Sequence, residues 1–492
     1  MSKDEDKEEI LVNVTSSEVR AVCLKNNILQ EIYIERPSHL SKINNIYKGK
    51  VKRVLPGIQA AFIDIGLEKS AYLHISDMTT NLSDKGNNKK LDIRHLLNEG
   101  KNIMVQVIKD PIGMKGARVT TNISIPSRYL VLLPTAKSIG ISKQIKDDDE
   151  VERLQDIGNS LLRENSMEVG LIIRTVAQKA TFDCIKADLI NAVNIWTKVK
   201  EKYNSVNSKK LIYGDLSLPL RMLRDVASDN VNRILVDSES TYKSMIDFAK
   251  KNIRYKDFKL ECHKDKYNLF DLYDVEEEIC KSINKIISLD SGGSIIFEQT
   301  EAMNIIDVNT ASFIGSNNSE ETIYQTNLEA AVTIARQIRL RNLSGIIIID
   351  FIDMTKDDHR INLLKLFKSS LSKDPAHHQI MSISKLGLVE MTRKRTRDSL
   401  QNVLSEDCPS CKGRGFVMKP DTIYFEVYRE ILRKSEKIDI NGITIHAHQC
   451  VIDIFQNNKA PDLKELEKNI GIPINFQVEL EFVQDQFEIS IA

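Results

Sequence analysis

Two stretches of the chain share one pattern of apolar and polar positions. In NIIDVNTASF, residues 304–313, an apolar run enters Asp307, and Asn309 follows two residues later. In GIIIIDFIDM, residues 345–354, four isoleucines enter Asp350, and Asp353 follows. Continuous apolar runs of this length predict strands covered on both faces. Between them, ETIYQTNLEAAVTIARQIRLRN carries apolar residues at helical spacing. Ser319 reads as its N-cap, with Glu320 and Glu321 in the first turn. Arg336, Arg339 and Arg341 crowd its end, and Gly345 reads as its stop. Strand, helix, strand makes two neighbouring parallel strands with both ends at one edge of a sheet.

Taken alone, Asp-Val-Asn-Thr reads as a turn. The second copy changes that reading. Asp307 and Asp350 stand 43 residues apart in sequence, yet this unit brings them to the same edge. Two close carboxylates share a proton or hold a cation. With oxygen ligands and no His or Cys nearby, the cation expected is magnesium, or manganese in its place. Asp353 would share a strand face with Asp350 only if the strand continued, so its expected role is supporting at most.

Upstream, residues 9–35 alternate as strands, with Asn26-Asn27 as a hairpin turn. Residues 39–121 hold five short strands between Gly and Asn turns, the pattern of an OB-type β-barrel. Phe62 and Tyr72 fall on neighbouring strands, among Lys48, Lys50, Lys52, Arg53, Lys109 and Lys115. Two readings stay open for them: barrel core, or a face on which single-stranded RNA stacks. Residues 122–215 form another unit, in which DDDEVERL opens a helix and Arg174 and Thr175 end a strand. Arg beside a hydroxyl suits either a phosphate or a surface salt bridge. Residues 216–282 read as helix, strand and helix, and RKRTR at 393–397 reads as a solvated helix face.

CPSCKGRG, residues 408–415, places Cys408 and Cys411 at zinc-site spacing, with Gly413 and Gly415 for a tight turn. Structural zinc takes four ligands and the chain has one such pair, so two copies could share one zinc. His446, His448 and Cys450 in HAHQC read as the exposed face of a strand rather than as further ligands. Residues 416–492 make a last small domain.

Composition limits these readings. The chain has 492 residues, enough for several domains. Hydrophobic residues make up 41% and charged residues 28%, the balance of a globular protein. Lys plus Arg and Asp plus Glu both total 69, so a nucleic-acid role has to rest on local patches. No apolar run is long enough to span a bilayer and the N-terminus is polar, so a cytoplasmic location is expected. Seven scattered cysteines do not make a disulfide framework.

Five strings, IYKGKVKRVLPGIQAAFIDIGLEKSAYLH, EQTEAMNIIDVNTASF, RQIRLRNLSGIIIIDFIDM, LGLVEMTRKRTR and CPSCKGRG, resemble the ribonuclease E/G family in the same order, nearly end to end. The chain stops soon after the small domain, so the resemblance is expected to be to the branch without a long disordered tail. It implies a mixed α/β protein of several subdomains. An RNase H-like subdomain (1–38 and 216–282) is split by an OB-fold (39–121) and a 5′-end sensor (122–215). A DNase I-like catalytic subdomain (283–404), a zinc link (405–415) and a small dimerisation domain (416–492) follow.

The implied activity is endonucleolytic cleavage of single-stranded, AU-rich RNA, in ribosomal RNA 5′-end maturation and messenger RNA turnover. By position in the motifs, Asp307 and Asp350 match the family's magnesium ligands and Asn309 its catalytic amide. Phe62, Tyr72 and Lys115 match positions that grip RNA. Cys408 and Cys411 match the zinc half-site shared between protomers of a homodimer, which could pair further. Ser127, Val131, Arg174 and Thr175 match a pocket for a 5′-monophosphate, with Ser127 standing where ribonuclease E has glycine. That pocket takes a further basic residue, and here the aligned position is His377. Histidine is largely neutral at neutral pH, which implies sensing that is weaker or pH-dependent. Two other classes would share part of this pattern: a non-catalytic RNA-binding or ribosome-assembly factor, and a DNA nuclease.

Overall fold

The computed structural model describes residues 7–37, 40–78, 92–111, 115–164, 168–227, 230–252, 258–310, 319–372, 374–384, 386–435 and 442–491. It divides into two compact units, residues 1–400 and 401–492. Among the described residues, no helix is long and apolar enough to cross a membrane.

Four sheets make up the first unit. One has the order Lys259–Cys262, Val231–Val236, Glu8–Val14, Val19–Lys25, Ile28–Glu35, so its strands come from two distant parts of the chain. Asn26 and Asn27 turn its hairpin, with φ of 51° and 63°. Both central residues lie in the left-handed region, as a type I′ turn needs.

The second is a closed barrel. Ile46–Leu55, Ala60–Asp64, Ala71–His74, Arg118–Thr120 and Asn102–Lys109 pair in that order, and the last pairs back to the first. Lys210–Tyr213 adds to the first strand from outside the ring. Alternation decides what fills the barrel: Ala61, Ile63, Ala71 and Leu73 are buried inside it. Gly116 lets the ring close, because a Cβ there would stand 2.0 Å from the Ser70 carbonyl oxygen.

In the third sheet, Ile139–Ile141, Gly170–Ile173, Leu130–Leu133 and Ile125–Pro126 lie side by side. Its core is closed by helices Asp148–Glu164 and Phe182–Ser205 through Leu154, Leu161, Ile185 and Leu189. The first of these helices starts in the acidic run, whose charges suit a helix N-terminus.

The fourth sheet carries the two aspartates. Its order is Ile286–Ser288, Ser294–Gln299, Met303–Asn309, Gly345–Asp350, Leu388–Arg393, His378–Ile380. Only the central pair, Met303–Asn309 with Gly345–Asp350, is parallel. Helices Ser319–Leu340 and Asp357–Leu371 cover one face, where Ile306, Ile349, Ala330, Ile334, Ile338 and Phe367 pack together. Among the described residues no helix covers the other face, where Ile305 is 37% exposed and Ile346 46%. The expectation of strands buried on both faces is therefore corrected. Isoleucines occupy both faces, which hides the two-residue alternation of a one-sided sheet.

The long helix ends differently from its sequence signal. Asn342, at φ 50°, makes the left-handed turn, and the Leu343 N–H reaches back to the Ile338 carbonyl at 3.0 Å. Gly345 instead opens the next strand. At the other end Ser319 is the first helical residue rather than the cap, and residue 318 lies outside the described residues. Arg336 and Arg339 hold this helix to the first sheet, through Glu278 beside the Leu29 carbonyl and through Gln30. Arg341 is buried over the Phe297 ring, 4.2 Å from its centroid, and burial lowers its pKa to about 10.

RKRTR is not a solvated helix face. Arg393 ends a strand and is buried, with Nε 2.6 Å from Asp374 and Nη1 on Asn342 and the Leu343 carbonyl. Arg397 lies over the Tyr33 ring at 3.9 Å and donates to the Ile32 carbonyl. Buried carbonyls and a carboxylate claim these charges, a context that a charge run does not reveal.

In the second unit, strands Ile474–Val478, Ile443–Ala447 and Phe487–Ile491 form a sheet in that order. Helices Pro420–Ser435, Gln449–Asp453 and Ala460–Ile470 join it over Tyr424, Val427, Ile445 and Phe455. The HAHQC segment does not share one strand face. His446 is in a strand between Glu479 and Ser490, whereas His448 caps a helix that contains Cys450.

Asp374 and Arg393 are almost wholly buried, at 0% and 4% side-chain exposure. Asp374→Ala leaves the guanidinium unpaired, with an expected loss of about 3–5 kcal/mol of stability. Urea unfolding of the full chain measures it.

Candidate active site

The parallel register sets Asp307 directly opposite Asp350, at the ends of adjacent strands. Their neighbours Ile306 and Ile349 point into the core, so both carboxylates lie on the open face. Asn309 is on the same face and donates from Nδ2 to Asp307 Oδ2 at 2.7 Å. The Asp350 carboxyl is held above its ordinary range, first by partial burial and then by the charges of Asp307 and Asp353. The donor set fits a small hard cation: two like-charged carboxylates, side by side, with an amide fixing one of them. Among the described residues no group of three or more His, Cys, Asp or Glu side chains could enclose a metal. Two protein carboxylates would leave the remaining positions to water and a phosphate, as magnesium prefers.

Asp353 is not on a strand face, because the strand ends at Asp350. A loop returns it to the site, and that loop is fixed by Asn327, which the sequence reading missed. Asn327 is completely buried, with its amide on both backbone groups of Ile352. The available signal was a lone amide in the apolar stripe of the helix.

Phe62 and Tyr72 do not fill the barrel core. They are cross-strand partners on its outer face, half-exposed, with ring centroids 6.2 Å apart at 65°. His74 continues the row, stacked on Tyr72 at 6.4 Å. Arg53 pairs opposite Phe62, and Arg118 lies beside Tyr72, held by Asp77 at 2.8 Å. Lys115 is exposed on the segment leading into the strand with Arg118. Lys48 leaves the basic cluster. Its ammonium donates to the carbonyls of Tyr203 and Val206, both at 2.8 Å, and ties the barrel to a helix end.

Ser127, Val131, Arg174 and Thr175 gather at the end of the third sheet. Val131 pairs with Ile172, and the Arg174 N–H donates to the Tyr129 carbonyl at 2.9 Å. Arg174 Nη1 reaches the Ser127 carbonyl at 2.7 Å and Asp225 at 2.8 Å. The Ser127 hydroxyl donates to Asp188, a buried carboxylate that also takes the Tyr129 N–H at 2.7 Å. Burial pushes the Asp188 carboxyl up, against the pull of these donors. Asp188 and Asp225 gave no sequence signal, since each stands singly in a helical stretch. His377 is exposed, just before the edge strand of the fourth sheet. The Arg174 hydrogen bonds run to Ser127 and Asp225, not to it.

In the second unit, Cys408 and Cys411 sit on a tight turn in which the Lys412 N–H meets the Cys408 carbonyl at 2.7 Å. Lys412, Gly413 and Gly415 have φ of 50°, 80° and 78°. The N–H groups of Cys411 and then Ser410 hold the exposed Cys408 thiol below its ordinary value. That favours the thiolate, the form that binds metal. No strand leads into this pair, unlike a thioredoxin redox site.

Comparison with known proteins bears on the same regions. The profile of the ribonuclease E/G family matches residues 124–396, and that of the RNase E/G thioredoxin-like domain matches residues 407–492. Ribonuclease G of Salmonella typhimurium is 44% identical over 98% of this chain and 99% of its own length. Ribonuclease G of Haemophilus influenzae is 40% identical over 99% of this chain and 100% of its own length. Ribonuclease E of Synechocystis sp. is 37% identical over 83% of this chain and 60% of its own length. A family profile over more than half of the sequence, together with full-length relatives at this identity, establishes that the chain belongs to the ribonuclease E/G family.

Proposed function

We propose that this endoribonuclease cuts single-stranded, AU-rich RNA with a divalent cation, preferentially magnesium, held by Asp307 and Asp350. The observation that carries the reading is the facing of these two carboxylates across one parallel pair of strands. When bound, magnesium would lower the pKa of an attacking water and offset the charge that builds on the phosphate. The chain's own residues do the rest. Asn309 holds Asp307 in one orientation through its 2.7 Å hydrogen bond. Phe62 and Tyr72 offer ring faces to successive bases, and His74, Arg53 and Lys115 border them. Stacking needs unpaired bases and reads faces rather than edges, which gives a preference for single strands with loose sequence demands. In-line attack would leave a 5′-phosphate and a 3′-hydroxyl.

The same reading assigns the sheets their roles. The split sheet is the RNase H-like subdomain, the barrel the OB-fold, the third sheet the 5′-end sensor and the fourth the DNase I-like catalytic subdomain. Arg174 and Thr175 would receive a 5′-monophosphate. Asp225 already holds one edge of the guanidinium, leaving the other for the phosphate. Cys408 and Cys411 would supply half of a zinc site completed by a second copy, making a homodimer. Ribosomal RNA 5′-end processing and messenger RNA turnover, in the cytoplasm, are the roles that fit these substrates.

Asp307→Asn should slow magnesium-dependent cleavage of a short 5′-monophosphorylated single strand by more than about tenfold, or ~1.4 kcal/mol of barrier. A smaller effect removes the residue from the mechanism. Asp350→Asn should raise the melting temperature of the metal-free chain near neutral pH. A carboxyl lifted above its unfolded value costs stability above that value, and the cost fades as pH falls through the folded value. The gain should shrink in acid, and magnesium should stabilise the wild type alone. Cys408→Ser should release zinc and lower the mass in solution to that of one chain. A dimer that keeps its zinc ends the shared-site reading.

A further inference from the structure

The loop after Asp350 is fixed more firmly than a strand-to-helix connection requires. Asn327 commits its whole amide to one peptide: Nδ2 donates to the Ile352 carbonyl at 2.8 Å and Oδ1 accepts the Ile352 N–H at 3.1 Å. Two turns toward the helix start, Glu320 accepts the Thr355 hydroxyl at 2.7 Å, the Thr355 N–H at 3.2 Å and the Lys356 N–H at 3.3 Å. His359 stacks on Tyr324 at 3.9 Å and packs beside Glu320. Phe351 and Met354 are buried in the core. Between these anchors Asp353 is left facing out. Gly387 leaves room for it: a Cβ there would stand 3.3 Å from Asp353 Oδ1.

A buried amide costs stability unless both of its ends are satisfied, and an apolar residue at 327 would serve the core as well. What the clamp adds is position. Asp353 Oδ1 lies against Gly387, next to Leu388, the residue paired with Asp350, so its like charge stands at the strand end that carries the pair. A loose loop would swing the repelled carboxylate into solvent. This one cannot, because both flanks of Asp353 are hydrogen-bonded to a single rigid helix.

We propose that Asp353 is an outer carboxylate of the cation site, a fixed charge that tightens the hold of Asp307 and Asp350 without ligating, and that Asn327 and Glu320 are the positioning residues that keep it there. This rests on the two-carboxylate reading above. Carboxylates placed just outside a ligand set change metal affinity by about 10–100-fold.

The test titrates manganese alone into the full chain without RNA and reads free manganese by electron paramagnetic resonance. Asp353→Asn should weaken binding about tenfold. Glu320→Ala, a change at a solvent-reachable helix start, should weaken it several-fold in the wild-type background and add nothing in Asp353→Asn. Asn327→Ser should behave in the same way if its melting curve shows a folded chain. Binding by Asp353→Asn within about twofold of wild type, ~0.4 kcal/mol, overturns the proposal. So does an equal effect of Glu320→Ala in both backgrounds, which marks a merely structural residue. Asp307→Asn separates the two levels of inference. If it keeps manganese, the two-carboxylate site itself fails. If it loses manganese while Asp353→Asn does not, only the outer carboxylate fails.

Discussion

One register holds the centre of this molecule together. Strands Met303–Asn309 and Gly345–Asp350 pair in parallel so that aspartate faces aspartate. A shift of one residue would turn either side chain to the opposite face and into the core. The register is protected because Ile306, Ile349 and the helices above them form the apolar layer that any slip would expose. Packing energy on one face thus maintains electrostatic repulsion on the other. The Asp350 carboxyl is raised first by partial burial and then by the charges of Asp307 and Asp353.

Other elements surround this sheet in the first unit. The barrel carries a half-exposed aromatic pair on its outer face, and the third sheet an arginine already oriented by Asp225. Polar contacts join these parts. Lys48 fastens the barrel to the helix Phe182–Ser205. Arg224 does similar work, buried between Asp215 and Asp225 at 2.7 and 2.9 Å, and Asp215 in turn takes a hydrogen bond from Asn44 beside the barrel. Such pairs favour one arrangement of parts over others more than they add stability.

Much of this was legible in the sequence, for physical reasons that differ by residue. Asp307 and Asp350 stood out because an apolar run ended in a carboxylate twice, with a helix between. Asn26-Asn27 stood out because few residue pairs adopt two left-handed conformations in succession. Phe62 and Tyr72 could not be resolved from the chain alone, since a barrel's inside and outside differ only in phase. The open face of the fourth sheet was hidden because isoleucine occupies positions of both phases there. Lys48, Arg393 and Arg397 looked like solvent charges, and each is claimed by backbone carbonyls from segments far away in sequence. Asn327 showed only as a lone amide in an apolar stripe, since its partner residue lies 25 residues on.

The helix Ser319–Leu340 has 22 residues, about 33 Å of rod at 1.5 Å per residue. Its start grips the turn beyond the aspartate pair, and its far end is bolted by Arg336 and Arg339 to the hairpin Val19–Glu35. The hairpin and the loop after Asp350 therefore share one lever. A substitution in that hairpin can therefore be felt about 33 Å away, at a loop the hairpin never touches.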